Sequence, residues 1–207
     1  MKILLFLAAA AAALAADGPR IVYTKVFPGS VPAYVWIAVE PSGAAAFKTA
    51  QEDDPDAFQL EESASRERFD LAAKLDHFNH PLESGLKIAN MGMKTFRWEE
   101  GAANHEAKFN YSTDESAKAL LDWFERITES ELLLAQLQRA VRHDKLGVVA
   151  AVNGIQASWE RKRLVATAQF LPVLEAVAKN ETFIHMARER AAQLVDAIRA
   201  ANKTKAA

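Results

Sequence analysis

The chain has 207 residues, 50% hydrophobic and 25% charged, with 25 Lys and Arg against 27 Asp and Glu for a net charge of -2. That balance is globular rather than disordered, and the mixing of both signs argues against the one-signed surface that nucleic acid or an anionic membrane needs. The absence of cysteine excludes disulfides, a thiolate nucleophile, c-type haem attachment and a lipidated N-terminal cysteine.

In chain order, residues 1–16 read as a secretory signal peptide. Met1-Lys2 is a short positive start, Ile3 to Ala12 is apolar but too short for a permanent anchor, and Ala13-Leu14-Ala15 is a small-residue cleavage site. Cleavage after Ala15 or Ala16 leaves about 190 residues, enough to bury a substantial core. No second long apolar run follows, so no permanent membrane anchor is expected in the mature chain. A cysteine-free exported protein of this size points to a bacterial source and a periplasmic or secreted location.

Residues 17–112 are expected to form a strand-rich α+β region. Ile21–Phe27 and Ala33–Val39 alternate as pleated strands do, and the second sets Val35, Ile37 and Val39 opposite Tyr34, Trp36 and Ala38. Turns at Pro28-Gly29-Ser30 and Pro41-Ser42-Gly43 lead into a third strand near Ala45–Lys48. After an acidic loop at residues 51–56, Phe58-Gln59-Leu60 reads as a short returning strand. A helix is predicted from a Ser63 cap to Phe78, with Leu71, Leu75 and Phe78 on one face and Asn79 and Pro81 as its stop. A hairpin around Gly101 joins Lys94–Glu99 to Glu106–Tyr111, with one face buried and one wet.

Residues 113–201 are expected to be all helical and packed on the strand-rich region. Ser112 and Glu115 form a capping box for a helix whose stripe, Leu120 to Leu146, either runs unbroken or breaks near Thr128-Glu129-Ser130. Further helices are predicted at about 148–165, 168–179 and 183–201, the last capped by Thr182. Arg161-Lys162-Arg163 reads as a solvated helix face, and residues 202–207 as a disordered tail.

Chemistry-bearing patterns are sparse. There is no Gly-x-Ser-x-Gly elbow and no phosphate-binding glycine loop, so no catalytic residue is assigned and no cofactor is expected. Asp76-His77-Phe78-Asn79-His80 is the candidate metal cluster, because histidines three apart on a helix can share an ion; histidines in a last helical turn also favour the helix dipole without a metal. His105-Glu106 lacks the second histidine of a zinc-protease helix. Met91 and Met93 offer soft copper ligands or core filling, and Asp53, Asp54 and Asp56 lack the glycine and distal glutamate of a calcium loop.

The Pro32-Ala33-Tyr34 strand, the Gly43 turn, the helix ending near Asp76-His77-Phe78 and the Lys94-to-Tyr111 hairpin together resemble a family of uncharacterised exported bacterial proteins. That resemblance spans at most residues 21–125, implies an α+β fold and brings no activity with it. The sparse chemistry makes the expectation a non-enzymatic binding or interaction module of the envelope, engaging a protein or envelope component through its sheet or a helical groove; Tyr34, Trp36 and Trp98 on the alternating strands read as core ahead of binding surface. Two alternatives stand beside it: a metal-dependent hydrolase using Asp76, His77 and His80, and a carrier of a small apolar ligand between sheet and helices.

Overall fold

The computed structural model describes residues 18–205, so the expected signal peptide lies outside the described residues. Six strands, β1 Arg20–Val26, β2 Tyr34–Val39, β3 Ala44–Lys48, β4 Asp56–Gln59, β5 Met93–Glu100 and β6 Ala103–Phe109, form one sheet in the order β4-β3-β2-β1-β5-β6. All its pairings are antiparallel. The helices are α1 Glu62–Lys74, α2 Glu115–His143, α3 Gly147–Glu160, α4 Leu171–Lys179 and α5 His185–Lys205. The α+β class with a helical C-terminal half is therefore as the sequence predicts. Placing the hairpin beside β1 makes a single six-stranded sheet of it and the meander.

Period-two alternation sorts the sheet into two faces. On the inner face, Tyr23 stands between Ile37 and Phe96, and Ile21 between Val39 and Trp98. These side chains share one core with Leu75 and Phe78, which follow α1, and with Leu120, Trp123, Phe124 and Ile127 of α2. On the outer face, Val22, Ala38 and Ala46 align across three strands and belong to neither core cluster. The β2–β3 turn depends on Gly43, whose φ is +85° and where a Cβ would come within 2.4 Å of the Leu60 carbonyl oxygen.

Helix α2 runs unbroken for 29 residues and serves two cores. Its first half packs on the sheet, while Leu134, Leu137 and Ala140 join α3, α4 and α5 in a second cluster. The hydroxyls of Thr128 and Ser130, where a break was conceivable, donate to the carbonyls of Phe124 and Arg126 four residues back and leave the helix intact. Its cap is Asp114 rather than Ser112: the Asp114 carboxylate accepts from the Ala117 N–H at 2.9 Å. Asp114→Ala is expected to cost about 1 kcal/mol, read as a shift of the urea midpoint.

Other boundaries move for local reasons. Helix α1 starts at Glu62, with Ser63 inside it, and ends at Lys74 instead of Phe78. Asp76, His77 and Phe78 follow with φ of +50°, +51° and +66°, a left-handed turn that residues with a Cβ adopt at a cost of about 1–2 kcal/mol each. Helix α3 stops at Glu160 rather than 165, because Lys162 takes φ +57° while the N–H groups of Lys162 and Arg163 bond back to Trp159 and Ser158. This is a Schellman cap. The basic triplet is thus a helix terminus, and Arg163 pairs with Glu129 and Asp122. Helix α5 continues through Lys205, so residues 202–205 are helical where a disordered tail was expected; the Thr204 hydroxyl donates to Ala200 and Asn202 meets Thr167.

Candidate functional site

The left-handed turn takes Asp76, His77 and His80 off the helical spacing on which the metal reading rests. The His77 ring lies over Trp98, with centroids 4.3 Å apart, and His80 is exposed. Among the described residues, no group of three histidines, aspartates or glutamates is placed to hold a metal ion. Trp98 is a core residue, 7% exposed, whereas Tyr34 and Trp36 sit half-buried on the outer face of the sheet. The Lys48 ammonium lies 5.8 Å from the centre of the Trp36 ring, a cation–π contact at the sheet surface.

An apolar surface grows from the segment between the left-handed turn and β5, residues 83–92. Leu86, Ile88 and Met91 are 57%, 39% and 50% exposed, and Met93 at the start of β5 is 47% exposed. Met93 pairs with Val26, and Val26 with Tyr34, so the strip crosses three strands on the outer face. Burying such side chains against an apolar partner is favourable by roughly 25 cal/mol per Å2. The strip presents apolar side chains to the surface.

The backbone beneath these side chains is held in place. Asn110, just past β6, accepts from the Met91 N–H at 2.8 Å through Oδ1 and donates to the Ala89 carbonyl at 3.0 Å through Nδ2. Its own N–H donates to Glu83 at 2.6 Å, and that bond holds the Glu83 carboxyl below its usual range. Ser84 N–H donates to the Tyr111 carbonyl, and Gly92 N–H to Asn90 Oδ1. Gly92 has φ +86° and lies so close to Phe27 that a Cβ there would meet the Phe27 Cβ at 2.8 Å. Residues 83–92 therefore form a strap with fixed backbone and exposed apolar side chains.

Lys94, one residue beyond Met93, points to the opposite face and is 3% exposed. Its ammonium donates to the Asn110 carbonyl at 2.6 Å. Burial draws its pKa down, and the neighbouring Lys25 charge adds to the effect. Asn110 thus links the strap to the inner face.

The strap joins the left-handed turn to β5 with no secondary structure of its own. Its signal in the sequence was four large apolar residues, Leu86, Ile88, Met91 and Met93, within eight positions that follow neither a helical nor a strand period. Met91 and Met93, considered there as copper ligands or core filling, are surface residues of the strip. No protein-family model matches the chain, and neither does any curated protein.

Proposed function

We propose that this chain is an exported, non-enzymatic binding protein of the bacterial envelope that docks its strap into an apolar groove on a partner protein. The observation that carries this reading is the combination of exposed Leu86, Ile88, Met91 and Met93 with a backbone already tied to Asn110. Ordering a loop before association removes an entropic cost of binding, and methionine adapts to irregular apolar grooves. A protein groove is favoured over a bilayer because the strap carries one cation, Lys87, against one anion, Glu83, and so lacks the basic cluster that draws loops to anionic lipid. Export rests on the apolar N-terminal run ending in Ala13-Leu14-Ala15. No helix among the described residues is long and apolar enough to cross a membrane.

A photo-crosslinking amino acid placed at position 88 or 91 in the native host tests the strap. The expected result is a single heavier protein adduct that disappears when Leu86 and Met93 are both changed to serine. The same probe at 184 or 186, where Ile184 and Met186 are each 50% exposed on another part of the surface, should give none. Adducts confined to lipid, or to a second copy of this chain, would overturn the reading.

A further inference from the structure

A cavity of about 390 Å3 lies between the inner face of β1 and β2 and the side of α2, within the roughly 300–1,000 Å3 range of small-molecule sites. Tyr23 lines it from the sheet, 1% exposed and stacked on Phe124 with ring centroids 4.8 Å apart. Its hydroxyl is buried without a hydrogen-bond partner. An unmet buried hydroxyl is destabilising, and a ligand atom that reaches it from the cavity would relieve that cost. Burial, reinforced by the Glu125 charge, pushes the phenol pKa upward, so the hydroxyl stays a neutral donor.

Two opposite charges stand at the same cavity. Lys25 Nζ and Glu125 Oε1 are 3.9 Å apart, beyond hydrogen-bond length, and neither has a hydrogen bond among the described residues. The other ion pair on the wall is already satisfied: Arg163 bonds Glu129 at 2.6 Å and Asp122 at 3.1 Å. Val35, Leu132 and Pro32 supply apolar wall.

We propose that this cavity binds a free α-amino acid with an apolar side chain. The carboxylate accepts from the Tyr23 hydroxyl and meets the Lys25 ammonium, the α-ammonium meets Glu125, and the side chain lies against Val35 and Leu132. A single carbon separates the two charged groups of an α-amino acid, which suits a cation and an anion 3.9 Å apart. A simple carboxylic acid would leave Glu125 repelling it, and a simple amine would face Lys25. The wall is therefore selective for the zwitterion, not for apolar ligands in general. This site is independent of the strap.

Titration calorimetry of the purified protein with L-leucine, 4-methylpentanoate and 3-methylbutylamine tests it, because the two controls each delete one charge from the same skeleton. Leucine should bind saturably at one site, with the acid and the amine each at least about tenfold weaker. Tyr23→Phe removes an unpartnered hydroxyl, so the fold is retained, and should weaken leucine about tenfold. Glu125→Gln should bring leucine down to the affinity of the acid. No saturable heat with leucine up to about 10 mM, or the acid binding as tightly as leucine, overturns the proposal. So does leucine affinity that both substitutions leave unchanged. Should either variant misfold, the three-probe comparison on the unsubstituted protein decides.

Discussion

Phe96→Ala is expected to lower stability by about 3–5 kcal/mol, the cost of emptying a fully packed aromatic site. Phe96 is 0% exposed, and its ring centroid lies 5.1 Å from Phe109, 5.3 Å from Phe78, and 5.9 Å from each of Tyr23 and Phe124. Those neighbours come from β6, the left-handed turn, β1 and α2, so one ring touches every layer around the sheet core. A cavity there is hard to close, because each lining ring is fixed by its own element. Urea unfolding should show a large drop in midpoint with little change in slope. A loss under about 1.5 kcal/mol would show that the cluster collapses around the gap. Since a domain has only about 5–15 kcal/mol in total, the variant should sit near the edge of folding.

Local pattern was legible where one physical period dominates. The β2 alternation separated Val35, Ile37 and Val39 from Tyr34, Trp36 and Ala38, and the register confirms that division. Which face the helices would cover is a nonlocal matter, so the same alternation could not distinguish core Trp98 from half-exposed Trp36. The neighbouring of β5 with β1 likewise brings together residues far apart in the chain, Val22 and Arg97 for example, and no short-range signal encodes it. Helix ends moved for a different reason. At Asp76–Phe78 and at Lys162, residues with side chains adopt positive φ, where sequence rules look for glycine or asparagine. The metal reading depended on one helical turn that the chain abandons at Leu75. The strap was invisible because Asn110 holds it through a contact 19 positions away from Met91, and an irregular segment carries no periodicity to detect.

Glu131 is the place where pH should act on stability most strongly. It sits on α2 between the two cores, 7% exposed, and burial pushes its carboxyl up to about 7, with the Gln169 hydrogen bond opposing and the Asp56 charge adding. In the unfolded chain the same group titrates near 4.5. Below that pH both states hold the proton and the group contributes nothing. Between about 4.5 and 7 the folded state keeps a proton that the unfolded state has released, so stability falls as pH rises, by about 1.4 kcal/mol per unit at the steepest. Above 7 both states are ionised and the full penalty, about 3 kcal/mol, remains. Glu131→Gln keeps an acceptor for Gln169 but cannot ionise. The variant should therefore match the parent near pH 4 and exceed it by about 2–3 kcal/mol at pH 8, measured by urea unfolding across that range. A difference that stays constant with pH would mean that Glu131 ionises alike in both states and that the junction between the two cores tolerates a buried charge.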